Sequence, residues 1–181
     1  MNWMNDSDFI RGDVPMTKEE VRILTMAGFE IRPGLSFLDI GAGTGSVSVA
    51  AAALGCDVVA AEVKDAAVDL IEKNAEAFGV EIDVIRGKAP DCLKDENYDR
   101  IFIGGSRGKL DDILHYAHEH LNEGGILAGN FITMSHAEAM KTFLKNEGYV
   151  WSLKYVAVSR EDRLGLLRAE NGVFILKGRK R

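Results

Sequence analysis

The sequence predicts a doubly wound α/β domain: a mostly parallel sheet with helices on both faces and an antiparallel hairpin at one edge. Three observations predict it. Short apolar runs bounded by glycine alternate with stretches of helical periodicity, the pattern of repeated strand–helix units. A glycine-rich turn, Gly41–Gly45, follows directly on one of these apolar runs. The last segment then breaks the alternation with two strand-like runs and no helix signal between them. The 181 residues fit one domain, 1–181, long enough to bury a core without disulfide or metal staples.

The elements follow in order. Thr17-Lys18-Glu19-Glu20 reads as a capping box, with the Thr17 hydroxyl accepting from an early amide and Glu20 reaching back. The helix it opens carries Val21, Leu24 and Met26 and closes near Gly28. Pro33-Gly34 is a turn, and Leu35–Ile40 a short buried strand. After the glycine turn comes a helix to Gly55, then a second strand, Asp57–Ala61, with Glu62 at its end. Asp65–Phe78 places Val68, Ile71, Ala75 and Phe78 at helical spacing, with Gly79 as C-cap. Ile82–Ile85 is a third strand, followed by a loop at Gly87-Lys88-Ala89-Pro90, and Arg100–Ile103 is a fourth. Leu110, Ile113, Leu114, Ala117 and Leu121 stripe another helix that Gly124-Gly125 ends, and Ile126–Ile132 is a fifth strand. Ser135 with Glu138 forms a second capping box, for a helix ending at Gly148. Tyr149–Ser159 and Gly172–Leu176 make the hairpin, joined by a long charged connection.

Composition removes several function classes. Hydrophobic residues make up 46% and charged residues 28%, the balance of a globular chain rather than a disordered one. Net charge is −6, opposite to that of a protein whose main task is gripping nucleic-acid phosphate. No apolar run approaches the ~20 residues of a membrane span, and the polar opening is no secretory signal. Cys56 and Cys92 stand far apart, so neither a disulfide framework nor a zinc ribbon is expected, and a cytoplasmic setting fits.

In doubly wound sheets ligands bind outside the carboxyl ends of the strands, where the strand order reverses. The loop there is Asp39-Ile40-Gly41-Ala42-Gly43-Thr44-Gly45. Its alternating glycines let a ligand lie against the main chain. A dinucleotide site would need a third glycine at position 46, where Ser46 stands. Glu62, at the end of the second strand, is placed to accept from ribose hydroxyls. Together these point to S-adenosylmethionine rather than NAD or FAD. In the loop after the third strand the Ala89 amide can serve the adenine ring, whereas Lys88 cannot accept a hydrogen bond.

The turn after the fourth strand, Gly104-Gly105-Ser106-Arg107-Gly108, lacks the Asn/Asp-Pro-Pro-aromatic run of amino-group methylation and any acid cluster for magnesium. His115, His118 and His120 read as surface residues without a third metal ligand, and His136 lies at a helix start. No metal site is expected.

Asp8-Phe9-Ile10, Val14-Pro15-Met16-Thr17-Lys18-Glu19-Glu20-Val21-Arg22, the glycine loop, Gly104-Gly105-Ser106 and Leu121-Asn122-Glu123-Gly124-Gly125 together resemble the decarboxylating precorrin methyltransferases of cobalamin biosynthesis. The likeness runs over about residues 8–150. It implies a class I methyltransferase fold and methylation of a corrinoid tetrapyrrole at carbon 15, with loss of carbon dioxide from the ring C acetate. By position it implies cofactor contacts at Thr17, Gly41, Ala42, Gly43, Thr44, Gly45, Glu62 and Ala89. Gly104, Gly105, Ser106 and Arg107 fall to the acceptor. It further implies a homo-oligomer without nucleic-acid or membrane partners. Lys88, commonly acidic in the family, departs from the pattern, as does the stretch from Arg160 to Asn171. No strong general base is visible. Arg107, Lys109, Arg160, Arg163 and Arg168 are candidates for a basic rim facing the substrate carboxylates. Two other readings stand beside this one: a methyltransferase for tRNA or protein, supported by the basic end Lys177–Arg181, and a non-catalytic adenosine-ligand or scaffold subunit.

Overall fold

A computed structural model describes residues 4–181. Its main sheet is seven-stranded, in the order β3-β2-β1-β4-β5-β9-β6. The strands are β1 (Ser36–Ile40), β2 (Asp57–Glu62), β3 (Asp83–Arg86), β4 (Tyr98–Ile103), β5 (Leu121–Phe131), β6 (Val150–Val156) and β9 (Val173–Arg179). The first five are parallel, and β9 runs antiparallel between β5 and β6. The helices are α1 (Glu19–Phe29), α2 (Ser46–Ala53), α3 (Asp65–Phe78), α4 (Leu110–His120) and α5 (Met134–Asn146).

Strand alternation sorts the core into two layers. Phe37, Val58, Phe102, Ile126 and Ala128 face Met26 and Phe29 of α1 and Val47, Ala50 and Ala51 of α2. Their neighbours Leu38, Ile40, Ile101, Ile103 and Leu127 point the other way, onto Ile113 and Leu114 of α4 and Met140 and Leu144 of α5. Each fully buried Leu, Ile or Phe contributes about 1.5–3 kcal/mol. The period-2 pattern therefore decides which face each helix covers. Both halves of the doubly wound reading hold.

Several expected details differ. Thr17 and Glu20 form no capping box: the helix begins at Glu19 with Lys18 as N-cap and no side-chain cap bond. The Thr17 carbonyl instead accepts from buried Arg22 at 2.9 Å. Helix α5 is capped by Thr133, which accepts from the His136 amide, rather than by Ser135. Gly124-Gly125 does not end a helix. Helix α4 passes straight into β5, and the glycines form an irregularity where pairing jumps from Tyr98–Leu121 to Arg100–Ile126. Gly124 has φ +72°, and a Cβ on Gly125 would lie 2.6 Å from the Asn122 carbonyl, so bulk is excluded there. The charged connection of the terminal hairpin carries its own small ribbon, β7 (Ser159–Glu161) with β8 (Leu167–Ala169).

The basic end is built into the fold. Lys177 and Arg179 pair with Glu30. Lys180 Nζ donates to the carbonyls of His118 and Leu121 at 2.9 and 2.8 Å, satisfying groups that the end of α4 leaves open.

Candidate active site

Strands β1 and β4 are neighbours at the point where strand order reverses, and each releases a glycine turn from its carboxyl end. The amides of Gly104 and Gly105 reach the Ile40 carbonyl at 2.9 and 3.3 Å. The two turns then meet backbone to backbone. A Cβ on Gly41 would lie 2.6 Å from the Gly105 carbonyl oxygen and 2.7 Å from its nitrogen, at a φ of +73°. Only glycine serves at 41. The two turns, assigned from sequence to different ligands, share one wall.

Parallel pairing of Ile40 with Ala61 brings the end of β2 beside this wall. The amides of Gly41 and Ala42 donate to the Ala61 carbonyl at 2.9 and 3.2 Å. Glu62 follows, buried, with Oε2 accepting from the Gly43 amide at 3.0 Å. Its Oε1 accepts from the amides of Val63 and Lys64, each at 2.9 Å. The carboxylate thus holds the glycine loop itself. A carboxylate has about four acceptor positions, so capacity remains for a ligand hydroxyl.

Beneath the loop Asp39 is fully buried. The Ser48 hydroxyl of α2 donates to its Oδ2 at 2.6 Å, while Oδ1 has no partner among the described residues. Burial pushes this carboxyl up to about 7, the Ser48 hydrogen bond opposing and the charge of Glu62 adding to the rise. It supports the loop from inside the sheet and does not line the cleft.

The walls enclose a cleft of about 750 Å³. Thr17, Gly41, Ala42, Gly43, Glu62 and Ala89 line it, as do Gly104, Gly105, Ser106 and Arg107. Thr44 and Gly45 do not. Thr44 is buried, its carbonyl accepting from Asn74 at 2.8 Å. Gly45 packs against Ile71 at the start of α2. Both hold the loop from behind.

The basic rim is redrawn. Lys109 pairs with Asp112, Arg160 with Glu20 and Glu170, and Arg168 with Asp162. None of these three, nor Arg163, lines the cleft. Arg107 does, held at a φ of +44° that non-glycine residues seldom adopt. It has no ion pair among the described residues. Arg11 and Lys88 line the cleft in the same condition.

Sequence reasoning missed Arg11 and Asn130. The Asn130 amide donates to Thr25 Oγ1 at 3.0 Å, and that hydroxyl donates onward to the Val21 carbonyl at 2.7 Å. The available signal was its place at the end of a parallel strand. His136 also lines the cleft. His115, His118 and His120 lie outside it, on α4, with the His118 ring 3.0 Å from the Tyr149 hydroxyl.

A family model described as a precorrin methyltransferase domain matches residues 8–173. The chain belongs to the precorrin methyltransferase family. Among relatives of this family, a protein of Saccharolobus solfataricus named "Probable cobalt-precorrin-6B C(15)-methyltransferase (decarboxylating)" is 34% identical over 93% of this chain and 90% of its own. A Salmonella typhimurium protein named cobalt-precorrin-6B C(15)-methyltransferase (decarboxylating) is 38% identical over 80% of this chain and 77% of its own. The crystal structure of a precorrin-6y C5,15-methyltransferase from Geobacter metallireducens superposes with a TM-score of 0.92 at 28% identity, covering 98% of this chain and 97% of that one. The class I methyltransferase fold follows from these likenesses and from the sheet order.

Proposed function

We propose that the chain transfers a methyl group from S-adenosylmethionine to carbon 15 of cobalt-precorrin-6B and releases the ring C acetate carboxyl as carbon dioxide, a step of cobalamin biosynthesis. The observation that carries this reading is the pair of glycine turns in contact at the switch point, with Glu62 behind them, in a member of this family. Thr17, Gly41, Ala42, Gly43, Glu62 and Ala89 would hold the cofactor, with Thr44 and Gly45 as the support of their loop. Ser46, buried at the start of α2 where a dinucleotide site needs glycine, argues against NAD.

When bound, the sulfonium supplies an electrophilic methyl. The protein's share is then to hold an electron-rich carbon in line with it. Gly104, Gly105 and Ser106 leave room for a flat macrocycle to approach. Arg107 and Arg11, both without carboxylate partners among the described residues, are suited to grip the substrate's carboxylates.

The chain is proposed to act as one domain, in the cytoplasm. The two free cysteines fit that setting, and no described helix is long and apolar enough to cross a membrane. Self-association belongs to the proposal, because edge strand β6 exposes Trp151, Leu153 and Tyr155 and the β7–β8 ribbon exposes Leu164 and Leu167. The tRNA or protein reading loses its support, since Lys177, Arg179 and Lys180 are engaged within the fold.

The test is incubation with cobalt-precorrin-6B and methyl-labelled S-adenosylmethionine. The product should gain the label and lose one carbon dioxide. A tetrapyrrole recovered unlabelled, at unchanged mass, would sink the proposal.

A further inference from the structure

Loss of carbon dioxide leaves a carbon that must receive a proton, and the glycine turns supply none. The candidates lining the cleft narrow quickly on the proposed reaction. Glu62 is buried with its oxygens engaged by three backbone amides. Glu170 is paired with Arg160. Lysine and arginine side chains release protons only well above neutrality, whereas histidine exchanges them near neutral pH. That leaves His136.

His136 stands in the first turn of α5, on the acceptor side of the cleft. Pairing of Ile103 with Gly129 makes the Gly104–Ser106 turn and the end of β5 emerge side by side, and His136 follows closely on the latter. Its position is fixed from two directions. The Thr133 hydroxyl accepts from its amide at 3.4 Å, and the Phe131 ring meets its own edge-on, centroids 6.2 Å apart. Neither ring nitrogen has a hydrogen-bond or ion-pair partner among the described residues. The side chain is also exposed, open to water on one side.

We propose that His136 is the acid that protonates the ring C side-chain carbon as carbon dioxide leaves; this rests on the function proposed above. Methyl transfer forms the bond to carbon 15 with two π electrons of the macrocycle, and the sulfur keeps the pair of the bond it loses. The macrocycle is then electron-poor. The carbon–carboxylate bond breaks, its pair flows into the macrocycle, and carbon dioxide departs. The His136 imidazolium gives its proton to the side-chain carbon, which becomes a methyl group. The neutral imidazole takes a proton back from the methylated macrocycle. No further reactant is consumed.

The test compares the parent with His136→Gln, which keeps a polar side chain but has no proton acidic enough to transfer, and with His136→Ala. Each is incubated with cobalt-precorrin-6B and methyl-labelled S-adenosylmethionine, and the products are weighed and their absorbance spectra recorded. Both variants should still transfer label. The step that turns the decarboxylated side-chain carbon into a methyl group should slow by about a hundredfold, the usual worth of a general acid, so a labelled, decarboxylated isomer of the product accumulates, equal to it in mass and distinct in absorbance. Affinity for S-adenosylhomocysteine, read by calorimetry, should not change. Parental proportions of the final, methyl-bearing product from His136→Gln overturn the assignment, as does a loss of labelling equal to the loss of that product. A parent that labels no tetrapyrrole defeats the proposed function first, a pattern distinct from either.

Discussion

On the β1–β2 side of the cleft the wall is mostly main chain, and on the β4–β5 side it becomes side chains. Gly41, Ala42 and Gly43 are tied to Ala61 and Glu62 by backbone amides, and Gly41 touches Gly105 too closely for any Cβ. Across from them stand Arg107, of the turn after β4, and Asn130 and His136, of β5 and the helix that follows it. The first wall is held by backbone hydrogen bonds, which suits the proposed cofactor, a ligand of constant shape. In the second, Arg107 and His136 make no hydrogen bond to the first among the described residues, whereas Gly104, where a Cβ would lie 3.0 Å from the Gly41 carbonyl oxygen, is tied to it. One fold can thus keep a cofactor while its acceptor changes.

The contrast can be broken first at Gly41. Gly41→Ala places a methyl group 2.6 Å from the Gly105 carbonyl oxygen at a φ of +73°. Stability should fall by about 2–3 kcal/mol, with loss of S-adenosylhomocysteine binding, seen by thermal melting and calorimetry. An unchanged melting temperature would show that the two turns do not press on each other.

A smaller loss is expected at Glu62. Glu62→Ala removes the acceptor for Gly43, Val63 and Lys64 together with any ribose contact, and should weaken cofactor binding by about 1–3 kcal/mol. Glu62→Gln should rescue little, because its amide group would turn a donor toward backbone N–H groups. Calorimetry measures both, and wild-type affinity in either variant would remove Glu62 from the site.

The smallest effect lies far from both walls. Hydrogen bonds from Lys177 and Arg179 hold the Glu30 carboxyl at about 2, below its ordinary 4.5. The folded state therefore binds this proton less tightly than the unfolded state. The stabilisation is complete above pH 4.5 and is lost as pH falls toward 2. Glu30 is 47% exposed, so Glu30→Ala should cost below about 1 kcal/mol at neutral pH. Denaturant midpoints for parent and variant should converge as pH falls through that window. A difference that stays constant with pH would deny the pair its role.

What the sequence made legible follows the same division. The place of the glycine loop and Glu62 in the cleft could be read because a main-chain wall leaves a spacing: two glycine turns and an acid, each at a strand end. The acceptor wall leaves none. Arg107 and His136 come from different strand–helix units, and only the parallel register of β4 with β5 aligns Asn130 with the Gly104 turn. Local capping rules failed where tertiary contacts competed. Arg22 claims the Thr17 carbonyl, and the end of β5 at Phe131 puts Thr133 rather than Ser135 at the head of α5. Charge alone also misled, since Arg160, Arg168 and Lys177 are spent on carboxylates that lie beside them only in the folded chain.

The independence of the two walls is tested most directly by Gly105→Leu. A Cβ at Gly105 would meet nothing nearer than the Gly41 carbonyl oxygen at 3.8 Å, so the change should fold and leave the cofactor loop in place while its bulk enters the acceptor space. Circular dichroism checks the fold, calorimetry the affinity for S-adenosylhomocysteine, and product mass the turnover of cobalt-precorrin-6B. The division of labour predicts affinity within about twofold of the parent and turnover down by about a hundredfold or more, the scale on which misplaced reactants slow a reaction. A folded variant that has lost S-adenosylhomocysteine, or one that methylates the tetrapyrrole at the parental rate, would contradict it.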